Sequence, residues 1–108
     1  MLKKILLATL IVSPSLAFAQ DLERSKAEYC NVMKSVAMLA IAKRQEGRSM
    51  SWLLGEVNQT DSQEIIVEAY TLDLPEGEQE LAGFVQEFSS RVHSECQEKL
   101  EERYRESS

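Results

Sequence analysis

At 108 residues, with 44% hydrophobic and 28% charged side chains, the chain is long enough for one small domain and its address label. Its formal charge of -6 comes from 18 acidic against 12 basic residues. A surface of that sign repels nucleic acid and anionic lipid, and no block of Lys or Arg and no row of aromatic residues offsets it.

The chain begins as an export signal does. Lys3 and Lys4 give a positive start, Ile5 to Val12 an apolar run, and Ala17-Phe18-Ala19 a small-x-small cleavage site. An apolar run of about eight residues falls well short of the roughly 20 needed to span a bilayer. Ser13, Pro14 and Ser15 interrupt it before the cleavage site. Residues 1–19 are therefore expected to be a signal peptide and residues 20–108 a single helical domain. A lipid anchor needs cysteine at the cleavage point, where Gln20 stands, so no membrane anchor is expected after cleavage. In a Gram-negative cell the destination is the periplasm. Losing Lys3 and Lys4 leaves ten basic against 18 acidic residues, a charge of about -8.

The first mature helix is expected from about Glu23 to Glu46. At 100° per residue, Tyr29, Cys30, Val32, Met33, Val36, Ala37, Leu39, Ala40 and Ile41 cover an arc roughly 200° wide, more than one neighbour can bury. Asn31, Lys34, Ser35 and Gln45 take the opposite side. Lys43, Arg44 and Arg48 gather where cations favour the helix dipole, and Gly47 is the expected left-handed stop.

Ser49 or Ser51 then caps a short second helix with Met50, Trp52, Leu53, Leu54 and Val57, weakened by Gly55. Asp61 and Glu64 have capping-box spacing for a third helix through Ile65, Ile66, Val67, Ala69, Tyr70 and Leu72. The run Ile65-Ile66-Val67 suits a strand as well, but its glutamate flanks and the lack of a partner strand favour helix. Asp73-Leu74-Pro75-Glu76 reads as the next helix start. From there Leu81, Phe84, Val85, Phe88, Val92, Cys96 and Leu100 recur at threes and fours along one long amphipathic helix.

Cys30 and Cys96 are the only cysteines, both survive cleavage, and export takes them where disulfides persist. Their spacing is nothing like the C-x-x-C of a redox pair, which favours a structural bridge between the first helix and an antiparallel last one. Closing a loop of about 65 residues stabilises the fold by roughly 4 kcal/mol in the chain-entropy model.

Few residues suggest chemistry. A closed zinc site wants four ligands, and His93 is the single histidine, so neither a metal nor a cofactor is expected. A Glu-x-x-His unit would need Glu where Ser90 stands. Glu64 with Glu68, and Glu98 with Glu101 and Glu102, share helical faces but read as solvated surface. No catalytic residue is expected, since no Ser, His and Asp arrangement or Gly-rich phosphate loop is present. The candidate interaction surface is Met50, Trp52, Leu53 and Leu54, which can stand out as an anchor or fold down as a lid on the core.

Cys30, the Arg44 to Ser49 turn with Gly47, the Ile66 to Tyr70 segment, and the Phe88, Val92 and Cys96 spacing resemble a group of small exported proteobacterial helical proteins with one cysteine near each end. The resemblance covers most of the mature chain and implies a fold and a compartment, with no activity, cofactor or substrate. A looser likeness is to the HdeA-like acid-stress chaperones, also small, helical and stapled by one disulfide. The cysteines here lie further apart, and Cys30 lacks the Trp-Thr lead-in of that family.

The expectation is therefore an all-α fold, a small bundle of three to four helices closed by one disulfide. It is read as a non-enzymatic periplasmic protein serving an interaction or structural role, with a protein partner or a second copy. The alternative is an acid-stress chaperone.

Overall fold

The computed structural model describes the backbone of residues 2–107 and the side chains of residues 23–106. The expected leader and its cleavage site at Ala19 lie outside the residues whose side chains are described. Four helices follow one another: α1 (Leu2–Gln45), α2 (Met50–Glu56), α3 (Thr60–Thr71) and α4 (Glu78–Ser107). Among the described residues there is no strand, so the β-compatible Ile65-Ile66-Val67 is helical as its flanks predict.

The end of α1 is built as the sequence suggests. Gly47 takes φ 88°, its amide donates to the Arg44 carbonyl at 3.0 Å, and the Arg48 amide reaches back to the Lys43 carbonyl at 3.0 Å. This pair of reversed bonds satisfies carbonyls that a bare helix end leaves unpaired. Ser49, of the two serines in question, caps α2: its hydroxyl accepts from the Trp52 amide at 3.1 Å. The Val57 amide closes α2 on the Leu53 carbonyl at 3.0 Å.

Two helix starts differ from expectation. Asp61 lies inside the first turn of α3, and the cap position belongs to Gln59, whose side chain makes no capping bond. The Asp61 carboxylate accepts instead from the Tyr29 hydroxyl of α1, so a donor on another helix takes the oxygen that local amides would have used. The last helix starts at Glu78 and not at Asp73 to Glu76. Leu72 and Leu74 pack against the core from the connector, and residues 73–77 stay non-helical up to Glu78.

The contacts fix the directions of the helices. Tyr29 meets Asp61 near the start of α3, while Arg44 donates to the carbonyls of Ala69 at 2.9 Å and Leu72 at 2.5 Å near its end. α3 therefore runs parallel to α1. Cys96 bonds Cys30, and Lys26 lies 4.2 Å from the ring centre of Tyr104, so α4 runs antiparallel to both. The short α2 carries the chain back between α1 and α3. The result is a three-helix bundle with α2 as a return strap, closed by the Cys30–Cys96 disulfide across Cα atoms 5.5 Å apart.

The core is Met33, Ala37, Ala40 and Ile41 of α1, Leu53 of α2, Ile66 and Ala69 of α3, and Phe88 and Val92 of α4, with the disulfide at one end. Alanines at positions 37, 40 and 69 let helix backbones come close, and Met33, Ile41 and Ile66 fill the space between them. Ser62 is buried with its hydroxyl on the Met33 sulfur at 3.8 Å, and Ser89 is buried with its hydroxyl on the Gln86 carbonyl at 3.2 Å. No buried side-chain nitrogen or oxygen among the described residues lacks a partner.

The buried stripe of α1 is narrower than its apolar arc and turned to one side of it. Val32, Met38 and Leu39 remain 53%, 47% and 41% exposed. Lys34, expected on the polar side, is half-buried.

Candidate functional site

One groove lies where α3 meets the second half of α4, beside the disulfide. It encloses about 100 Å³ over a floor of Met33, Ile65, Val92, Cys96 and Leu100. Asp61, Glu64 and Glu68 of α3 form one wall, spaced by three and four residues so that they share a face. Glu95, Lys99 and Arg103 of α4 form the other, spaced by fours. Because the helices are antiparallel, the two rows oppose each other rung by rung.

At the upper rung the Arg91 guanidinium donates to Glu68 at 2.5 Å and to Glu95 at 3.3 Å, and lies 5.3 Å from the Phe88 ring centre. Its pKa is raised, first by the bond to Glu68 and, with lesser weight, by that to Glu95. At the lower rung Tyr29 donates to Asp61. That bond holds the phenol above its ordinary pKa, burial and the Asp61 charge add to the rise, and the nearby Arg103 charge opposes it. The rows form a charge ladder along the groove, in which Arg91 ties α4 to Glu68 of α3 by a half-exposed pair open to solvent screening.

A second, wider groove of about 560 Å³ runs below the start of α3, between α1 and α4. Glu23, Lys26, Leu100, Glu101 and Tyr104 are among the residues that line it.

The residues singled out in the sequence fall in different places. Cys30 is fully buried and Cys96 is 8% exposed, both within their disulfide. Of the candidate surface, Leu53 is a core residue, and Met50 and Leu54 are half-buried against the core. Only Trp52 stands out, 39% exposed, with the Arg48 guanidinium 4.6 Å from its ring centre. The stretch is thus a lid with one exposed aromatic corner. His93 is half-buried on α4. Among the described residues no three His, Cys, Asp or Glu side chains are grouped so as to hold a metal ion. Glu98, Glu101 and Glu102 are exposed, with Glu101 in an ion pair 3.7 Å from the Arg105 guanidinium.

Two features escaped the sequence reading. The glutamates of α3, read as solvated surface, keep much of their exposure and also line the groove, a feature that their spacing matched to the fours of Arg91, Glu95, Lys99 and Arg103 could have signalled. The outward strip of α1 was hidden inside an over-wide apolar arc. Val32, Ser35, Met38, Leu39 and Ala42 lie within roughly 120° of one another about the helix axis. All five are exposed. The Ser35 hydroxyl is bonded to the Asn31 carbonyl at 3.1 Å, which leaves the strip less polar than its sequence suggests.

Among the described residues no helix is long and apolar enough to cross a membrane. Searches of family models, curated proteins and solved structures return no match to this chain.

Proposed function

We propose that this chain is an exported, periplasmic, non-enzymatic protein that works by binding another protein chain. The observation that carries the reading is the outward strip of α1. Val32, Met38 and Leu39 are 53%, 47% and 41% exposed, while Cys30, Met33, Ala37, Ala40 and Ile41 of the same helix are buried. Grouped exposure of large apolar side chains on one helix face is a feature of contact surfaces. Trp52, with Arg48 across its ring, is a second exposed anchor of the kind enriched at interfaces. The disulfide suits an oxidising compartment and supports the export reading.

The test is a photocrosslinking residue placed at position 39 and, as a control, at the exposed position 98 of α4, in cells producing the full chain. Capture at position 39 and none at 98 is the expected result. Equal or absent capture at both removes the reading. Light scattering on the purified chain then tells a homodimer from a different partner.

The charge ladder favours a second reading, an acid-stress chaperone that exposes its core when carboxylates are protonated. The Arg91–Glu68 pair joins α3 to α4, and protonating a carboxylate removes such a pair. A holdase assay with an aggregating client at about pH 3 and at neutral pH tests it, and no protection at either pH excludes it.

A further inference from the structure

The outward strip of α1 is uncharged along its middle, from Asn31 to Ala42, and carries charge at both ends. Arg24 and Glu28 stand at one end, Lys43 and Glu46 at the other. At 100° per residue Arg24, Glu28 and Glu46 fall within about 20° of Ser35, the middle of the strip, and Lys43 falls at its edge. Glu46 keeps this helical direction because its amide still donates to the Ala42 carbonyl, at 3.1 Å. The order along the helix is therefore positive, negative, apolar, positive, negative. We infer that a second copy of this chain covers the strip, its α1 laid antiparallel on the first across a two-fold axis at Ser35. The inference rests on the protein-binding reading and names the partner.

A charge order of that kind complements itself only when reversed. Arg24 and Glu46 lie equally far from Ser35 in sequence, so the two-fold axis sets Arg24 of each copy against Glu46 of the other. Val32 then faces Met38 of the second copy, Asn31 faces Leu39, and Glu28 comes within one residue of Lys43. A parallel pair would instead set Arg24 on Arg24 and Glu46 on Glu46. Moving the antiparallel axis to Ala37, the middle of the apolar residues, would set Glu28 on Glu46. The charges thus select both direction and register. At the axis the helices meet across a small side chain whose hydroxyl is already bonded to the Asn31 carbonyl.

Two further observations favour a copy of the same chain. Among the described residues Arg24 and Glu28 make no ion pair, whereas Lys26 holds Glu23 at 3.2 Å and Lys43 holds Glu46 at 3.1 Å. The unmatched charges are the two that the reversed copy meets. The chain as a whole has 18 acidic residues against 12 basic, yet residues 23–46 carry five bases against three acids. Two acidic copies therefore approach each other at least cost through α1. The contact is small, with about ten residues from each copy against the roughly 20 to 30 a side of a standard interface, so the dimer is weak and reversible.

The experiment is sedimentation equilibrium on the exported, oxidised chain, where wild type should show a reversible monomer–dimer equilibrium between about 10 μM and 1 mM. Arg24→Glu and Glu46→Arg should each weaken self-association by roughly tenfold, because each sets like charges face to face twice. An equimolar mixture of the two variants should associate at least as well as wild type, since every facing pair is then of opposite sign. For direction, Ser35→Cys should give a disulfide-linked dimer under mild oxidation and Gln45→Cys should not, because the two copies of position 45 stand roughly 30 Å apart along the helices. A chain that stays monomeric to about 1 mM, a mixture no stronger than its components, or a Gln45→Cys link as fast as that of Ser35→Cys overturns the inference. A monomeric chain that captures a different protein at position 39 in cells overturns the second copy alone, while absence of capture there removes the reading beneath it.

Discussion

The Tyr29 hydroxyl donates to the Asp61 carboxylate across the interface of α1 and α3. One bond thereby aligns two parallel helices whose backbones are separated by 32 residues of sequence. It also explains why α3 begins without the expected cap, since the oxygen suited to capping is engaged between helices.

Removing that bond with Tyr29→Phe should lower stability by about 1 kcal/mol, the usual net value of such a bond in a half-buried place. It should also change the response to base. The Tyr29 pKa is raised in the fold, so the phenol holds its proton more tightly there than in the unfolded chain. Its contribution is complete below about pH 10 and is lost as pH rises through the folded value. Urea unfolding at neutral pH and in steps to about pH 11 should show a smaller alkaline loss for the variant than for wild type.

Breaking the disulfide should destabilise the bundle without dictating a new fold. Cys30→Ala with Cys96→Ala should cost up to roughly 4 kcal/mol, less whatever the native geometry fails to return. For a domain of this size that is a large share of the total. Denaturant midpoints of the oxidised, reduced and double-alanine forms measure it, and intact mass before and after reduction and alkylation verifies the bridge.

Two glycines should respond to alanine in opposite directions. Gly47 has φ +88°, so Gly47→Ala forces an L side chain into the left-handed region at a cost of about 1 kcal/mol, although the space beside it is open. Gly55 sits in α2 with nothing within 4 Å of the place a Cβ would occupy. Gly55→Ala should stabilise by about 0.5 to 1 kcal/mol through helix propensity. Thermal melts of both variants beside wild type test the pair.

Position decides the cost of losing an apolar side chain. Ile66 is fully buried between helices, and Ile66→Ala should cost about 2 to 5 kcal/mol by leaving a cavity. Leu39 is 41% exposed, and Leu39→Ser should change stability by only about 0.5 kcal/mol or less. Denaturant midpoints of the two variants measure the contrast. If α1 binds a partner through its outward strip, the same Leu39→Ser change should weaken partner capture while leaving the fold intact.

Much of this architecture is legible in the chain because local rules and tertiary structure agree there. Gly47 stops α1 for the reason its type suggests, and Phe88, Val92 and Cys96 fall on the buried face their spacing predicts. Local rules fail where a distant residue outcompetes a near one. Asp61 is drawn to Tyr29, and Leu74 to the core, so each shifts a helix boundary that would otherwise depend only on near neighbours in the sequence. The facing of α1 is a third such case. Lys34 and Val32 have nearly the wrong burial for their chemistry, because the choice of which side of a broad apolar arc is covered is made by α3 and α4. The groove escaped for the same reason: two rows of charge become one feature only when the helices carrying them are laid antiparallel.

The parallel run of α1 and α3 has a kinetic consequence. Neighbouring antiparallel helices can zip from their connecting turn, but α3 can find its register on α1 only after α2 has carried the chain back the length of the bundle. Pairing Tyr29 with Asp61 is therefore a loop-closure event with an entropy to overcome before any contact offsets it. The strap that looks like a minor element sets the length of that search, and lengthening the segment from Val57 to Gln59 should slow folding more than it lowers stability.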